Sequence, residues 1–195
     1  MPRIVETIVT TTNTSGEVHI APLGLIEDGA HWVIAPFRPS RTLDNLRANP
    51  TAAASHTDDV RVIAGCVTGR KIWPLAPTLK VPGARLADCV AHWELKVDKA
   101  IEDEVRPRFL CNIVHQESHK VWEGFNRAQA AVIELAVLVT RLNMLPAEKI
   151  ENELKYLEIA ILKTAGPREE EAWEWLMEKV TAWRQAMFNK TVDES

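Results

Sequence analysis

The spacing of apolar and polar positions changes part-way along the chain, from the pattern of strands over roughly the first 120 residues to a helical period from Phe125 onward. Ile4 to Thr11 is rich in Ile, Val and Thr, Asn13-Thr14-Ser15-Gly16 has turn chemistry, and Val18 to Ile26 resumes an extended pattern. Asp28-Gly29 marks a tight hairpin into a third strand, His31 to Ala35. Ser40 is placed to cap a short helix, Arg41 to Ala48, with Leu43 and Leu46 inward and Pro50 closing it. Thr51 to Thr57 returns to strand, and Val62, Ile63, Cys66 and Val67 behind an aspartate predict a short helix within residues 58–69. Residues 87–98 alternate most regularly, with Ala87, Cys89, Ala91, Trp93, Leu95 and Val97 facing a core and the intervening residues, His92 and Glu94 among them, on a mostly wet face. Arg108 to Val114 predicts a sixth strand, with Phe109, Cys111 and Ile113 on one side.

The helical part opens with Asn126 as a cap. Ala128, Ala131, Val132, Leu135, Ala136, Val139 and Leu142 form one stripe and Ile133 and Val137 a second, which predicts a helix buried on two sides. Pro146 opens the next helix, with Ile150, Leu154, Leu157 and Ile161 inward and Gly166-Pro167 as its stop. The last starts at Pro167 with Glu169, Glu170 and Glu171 in its first turn and a packing seam of Trp173, Leu176, Val180, Trp183 and Met187. Short antiparallel strands followed by helices predict a small barrel with an appended three-helix domain, divided as residues 1–122 and 123–195.

Composition narrows the class. At 46% hydrophobic and with a net charge of only −4, the chain of 195 residues is neither disordered nor low in complexity. No apolar run reaches the length of a spanning helix and the start lacks a signal-peptide core, so a cytoplasmic protein without membrane partners is expected. An acidic chain without a long Lys/Arg stripe is not expected to bind nucleic acid. The three cysteines, Cys66, Cys89 and Cys111, read as buried thiols. Between Arg38 and Arg85, eight basic residues face three acidic ones, a window that could meet an anion or could be a solvated face.

Within that window, Arg38, Ser40, Arg41 and Thr42 stand where a strand hands over to a helix, whose first N–H groups favour phosphate; the alternative is a simple cap with solvated arginines. Pro22-Leu23-Gly24 interrupts the second strand, marking either a bulge or backbone left free for a flat ligand. Ser55, His56, Thr57 and Asp58 end a strand, as rim residues meeting a ligand or as a capped turn. Asn126 and Arg127 suit a cap or a ligand contact. The histidines, His19, His31, His56, His92, His115 and His119, include no HExxH; His115 and His119 read as a surface pair, and no metal is expected.

The segments Glu6-Thr7-Ile8-Val9-Thr10-Thr11, Ala21-Pro22-Leu23-Gly24, Phe37 to Leu46, Thr57-Asp58-Asp59, Phe125-Asn126-Arg127-Ala128, Thr140-Arg141-Leu142 and Lys163-Thr164-Ala165-Gly166 together resemble the domain-of-unknown-function family 447, a relative of the flavin reductase-like proteins. The resemblance runs through nearly the whole chain. It implies a six-stranded antiparallel split β-barrel that forms a homodimer and holds FMN near the interface, followed by an appended helical domain; for an enzyme of this kind, a nicotinamide or a deazaflavin is a candidate electron donor. It assigns the phosphate to Ser40 and Thr42 with Arg38 or Arg41, and the ribityl chain and ring to the backbone of Pro22, Leu23 and Gly24 and to Ser55 through Asp58; Asn126 and Arg127 match its Phe-Asn-Arg-Ala segment. The sequence departs from the family pattern at His56, where Asn, Ile or Val is expected. One scaffold of this kind hosts oxidases, reductases and non-catalytic flavin holders, so an FMN-dependent oxidoreductase and a flavin-binding or assembly protein both stand.

Overall fold

In the computed structural model, residues 1–193 are described, with side chains to residue 189, and the β-branched run at the start forms β1 (Ile4–Thr12). The barrel strands that follow are β2 (Val18–Asp28), β3 (His31–Ile34), β4 (Thr51–His56), β7 (Ala91–Ile101) and β8 (Arg108–Ser118). They close in the order β1-β2-β3-β8-β7-β4, every pairing antiparallel. A separate two-stranded hairpin, β5 (Leu75–Pro77) with β6 (Ala84–Leu86), has no counterpart in the sequence pattern. The helices are α1 (Arg41–Ala48), α2 (Arg61–Thr68), α3 (Arg127–Val139), α4 (Ala147–Thr164) and α5 (Pro167–Asp193).

The chain divides into two compact units, and the division is not a single cut at residue 122. The first comprises residues 1–58 and 72–122; the second takes residues 59–71 together with the chain from residue 123. Helix α2 therefore belongs with the C-terminal helices.

In the first unit the barrel core is Val9, Leu25, Ile34, Leu43, Leu46, Ala52, Ala54, Leu95, Phe109 and Cys111, with Leu23, Trp32 and Trp93 packed against it. Leu43 and Leu46 come from α1, which is anchored to the end of β1 by Asn45 Nδ2 donating to Thr11 Oγ1 (3.0 Å) and Asn49 Nδ2 donating to the Thr12 carbonyl (2.8 Å). The hairpin between β2 and β3 pairs Asp28 with His31, and Gly29 takes the positive φ of 61° that its turn demands.

Two expectations for the barrel are corrected. The register of β2 on β1 runs unbroken from Val18 to Ile26, so Pro22 and Gly24 mark no bulge. Gly24 is instead a point of close approach: a Cβ there would stand 2.6 Å from Ile4 Cγ2, which would have to shift to make room. The second correction concerns β7, which starts at Ala91, and its outer face, which is not wet. His92 is 1% and Glu94 0% exposed. Glu94 accepts the amides of Leu79 (2.6 Å), Lys80 (2.6 Å) and Val81 (2.9 Å), fastening the β5–β6 hairpin over that face. Burial alone would raise its carboxyl, but these amides and His92 outweigh it and hold the carboxyl below its ordinary range.

In the second unit Asn126 caps α3, its Oδ1 accepting the Ala128 and Gln129 amides at 2.7 and 3.3 Å. Ala128, Ala131, Val132, Leu135 and Ala136 are buried with Ile150 and Leu154 of α4 and Ala172, Leu176 and Val180 of α5. The expected second stripe of α3 is only partly covered, Ile133 being half-buried and Val137 37% exposed, and the α5 seam ends before Met187, which is 45% exposed. Apolar periodicity extends further than the partners available to cover it. No helix among the described residues is long and apolar enough to cross a membrane.

Candidate functional site

The register of three adjacent barrel strands brings together two segments 30 residues apart. β1 pairs Ile8 with Pro22 on one side and with Ser55 on the other, and Thr7 with Leu23. Pro22, Leu23 and Gly24 therefore lie beside Ser55 and His56 in neighbouring cross-strand rows, two strand spacings or roughly 10 Å apart. Because β3 pairs with β2 only from Ile26 to Asp28, no strand among the described residues pairs with the far edge of β2 at Pro22, Leu23 and Gly24. Thr7, buried between the two segments, donates its hydroxyl to the Leu23 carbonyl at 2.9 Å.

His56 ends β4 and packs edge-on against Trp93, with ring centroids 4.4 Å apart. Trp93 in turn leans on Trp32 at 4.8 Å. Burial holds His56 below the ordinary imidazole range, so it is neutral near pH 7. Its Nε2 is buried without a hydrogen-bond partner, which for a buried nitrogen is costly. Ser55 is different: it is fully buried, and its hydroxyl oxygen accepts the Leu86 amide at 3.1 Å, so it holds β6 in place. Thr57 and Asp58 follow directly, half-buried, at the end of the strand.

At the start of α1, Ser40 is the cap, its Oγ accepting the Leu43 amide at 3.3 Å while its carbonyl accepts the Asp44 amide. The amides left open by such a start are those of Arg41 and Thr42. Arg41 is exposed and lines a surface cavity of about 210 Å³ with Asn13, Val18, His19 and Asn45 and with the carboxylates of Glu17 and Asp44. Thr42, at 3% exposure, is buried rather than displayed at the helix start.

The other arginines of the basic window are committed elsewhere. Arg38 pairs with Glu102 and donates to the Asp103 carbonyl (2.9 Å), and Arg47 binds the same Glu102. Within the second unit, Arg61 pairs with Asp59 and Glu171, and Arg70 with Glu178. The window is thus no continuous basic face. Asn126 and Arg127 also lie in the second unit: Asn126 is spent on its cap and on the Thr164 carbonyl (3.0 Å), while Arg127 is exposed. Trp93 and Thr7 are site neighbours that the sequence pattern assigned only to the core or a strand; the cross-strand register is the signal that identifies them.

The sequence matches the "Protein of unknown function (DUF447) N-terminal domain" over residues 5–120 and its companion DUF447 domain over residues 126–178. The chain belongs to the DUF447 family. Its fold is that of an FMN-bound DUF447 protein from Methanosarcina mazei, MM1853, at 18% identity and a TM-score of 0.78, covering 92% of this chain and 96% of that one. Part of the chain is similar in fold to Pseudomonas fluorescens 2-nitrobenzoate 2-nitroreductase (22% identity, TM-score 0.51, 61% of this chain and 66% of that one). Component B of nitrilotriacetate monooxygenase from Bacillus cereus is a further fold relative (15%, TM-score 0.51, 67% and 77%). No curated protein matches the sequence. The DUF447 likeness thus spans both units, whereas the nitroreductase and the monooxygenase component share about two thirds of the chain or less.

Proposed function

We propose that this DUF447 protein is a flavoprotein that holds FMN on the first unit and acts as an oxidoreductase of the flavin reductase-like type. The observation that carries this reading is the convergence on one sheet of an unpaired β2 edge, an orphaned buried His56 nitrogen and, further along β2, the open start of α1 with Arg41. The residues fit the group chemically. The Arg41 guanidinium and amide and the Ser40 hydroxyl suit a phosphate. Thr11 pairs with His19 and Thr7 with Leu23, so the α1 end and the Pro22–Gly24 edge are separated by about 13 Å of strand, a span suited to a ribityl chain. At the other end, the β2 backbone and the His56 imidazole meet the polar edge of a planar ring, and Trp93 backs His56.

When bound, FMN supplies the hydride and electron chemistry. The protein's part is to hold the phosphate by charge, to position the ring against β2, and to present His56 as a neutral hydrogen-bonding group. Arg38, held by Glu102, is left out of the phosphate site in this reading, and Ser55 acts by fixing β6. We extend this reading, on the family resemblance alone, to a homodimer with flavin near the interface, working in the cytoplasm with a nicotinamide or deazaflavin donor.

Fluorescence titration with FMN and with riboflavin tests the placement. FMN is expected to bind more tightly than riboflavin, with that preference lost in Arg41→Ala; equal preference in both proteins would refute the phosphate site. Anaerobic mixing with NADH, NADPH and a reduced deazaflavin tests the reaction. Rapid bleaching of bound flavin by one of them is expected, and failure of all three would leave a flavin holder without turnover.

A further inference from the structure

The buried outer face of β7 carries a second constellation that the flavin reading does not use. The β7–β8 register sets His92 opposite Glu117 and Glu94 opposite His115, with His119 immediately beyond the strand. The pairing skips Val114, since Leu95 faces Ile113 while Glu94 faces His115. That bulge reverses the inside-outside alternation of β8, so His115 and Glu117 emerge on the face of His92 and Glu94. His115 and His119 are therefore not a surface pair; they meet at His92, with ring centroids 5.7 and 5.1 Å from it.

The hydrogen bonds define which atoms are available. Glu94, already accepting three amides, lies 3.3 Å from His92 Nε2 and can only accept from it. The imidazole proton therefore sits on Nε2, and the Nδ1 lone pair points at His119 Nε2, 2.9 Å away. The ligating atoms of His92, Glu117 and His119 lie within 4.8 Å of one another. His115 Nε2, buried without a hydrogen-bond partner, stands 3.8 Å from Glu117 Oε2.

We propose that His92 Nδ1, His119 Nε2 and the Glu117 carboxylate bind a divalent transition-metal ion of the zinc type, with Glu94 as the carboxylate that orients His92. Two imidazoles and a carboxylate are a zinc donor set, and three protein ligands leave a position for water or a small anion. A carboxylate behind a ligating histidine is the usual way its tautomer and ring angle are fixed. Glu94 is not itself a ligand, because its oxygens are taken by backbone amides. Two metal–nitrogen bonds at a tetrahedral angle require about 3.4 Å between the nitrogens, roughly half an ångström more than in the metal-free pair. His119, beyond the end of β8 and half-buried, has room for that movement.

The test uses the full chain, stripped of metal, titrated with Zn²⁺ by calorimetry and with Co²⁺ by visible absorbance, both with and without added FMN. One ion per chain is expected, with cobalt d–d bands characteristic of four or five ligands, whether or not FMN is present. His119→Ala and Glu117→Gln are each expected to weaken zinc binding at least tenfold while keeping the wild-type circular dichroism spectrum, and His31→Ala, at a histidine away from the cluster, is expected to bind as wild type. Failure of the wild-type chain to bind one zinc, or undiminished binding in both cluster variants, would overturn the assignment. Because neither readout involves flavin, the result is independent of the FMN reading.

Discussion

The two units solve the problem of a stable interior differently. In the helical unit, residues of α3, α4 and α5 such as Leu135, Ile150, Leu176 and Val180 are fully buried, and the buried polar residues are Asp59 and Glu169, held respectively by Arg61 and by the Gly166 amide and Gln129. In the barrel unit, Thr7, Thr10, Thr11, Thr42, Asn45, Ser55, His92 and Glu94 are all buried. Polar groups in an interior cost stability unless each finds a partner. A barrel this rich in them is built to present donors and acceptors, while the helices are built to pack. The proposed flavin and metal sites both draw on the polar groups of the first unit.

The sharpest way to separate the units is to damage one and read the other. Leu135→Ala, in the helical core, is expected to lower stability by about 2–5 kcal/mol, seen by denaturant unfolding, without changing FMN affinity. Glu94→Gln in the barrel is expected to cost about 2–3 kcal/mol, because it weakens hydrogen bonds to a charged acceptor. That loss carries a pH signature. A carboxyl held below its ordinary value of 4.5 in the folded state contributes stability that is fully present above that value and is lost as pH falls through the folded value. The gap between wild type and Glu94→Gln should therefore be widest near pH 7 and close on acidification; a gap constant with pH would contradict the ionised state.

Smaller effects refine the contrast. Arg41→Ala should weaken FMN binding by about 1.5–3 kcal/mol, the worth of a hydrogen bond to a charged group, with little change in melting temperature because Arg41 is exposed. Arg184→Ala removes the ion pair with Glu151 on the helical unit, whose side chains are 43% and 36% exposed, and should cost about 1 kcal/mol or less.

Much of the architecture could be read along the chain because it depends on local chemistry. The β-branched content of Ile4 to Thr12, the Asp28-Gly29 turn, the Ser40 and Asn126 caps and the Pro146 and Pro167 helix starts all act within a few residues. The six barrel strands followed from these signals. What was not legible depends on register. Alternation alone puts His92 and Glu94 on a wet face, and only the β5–β6 hairpin, held by the amides of Leu79, Lys80 and Val81, makes that face interior. The bulge at Val114 is equally silent in sequence, yet it decides whether His115 and Glu117 turn towards His92. At the proposed flavin site, the sequence marked Ser55 and Arg38 by residue type, but their partners, Leu86 and Glu102, come from distant segments.

In the function proposed above, the polar barrel holds a flavin through its phosphate and its ring edge. The ultraviolet–visible spectrum of the purified full-length protein, recorded before and after incubation with FMN and desalting, tests it most directly. Flavin absorption bands retained at one FMN per chain, with the flavin fluorescence altered from that of free FMN, are the predicted result. A protein that remains colourless after incubation with FMN would contradict the account.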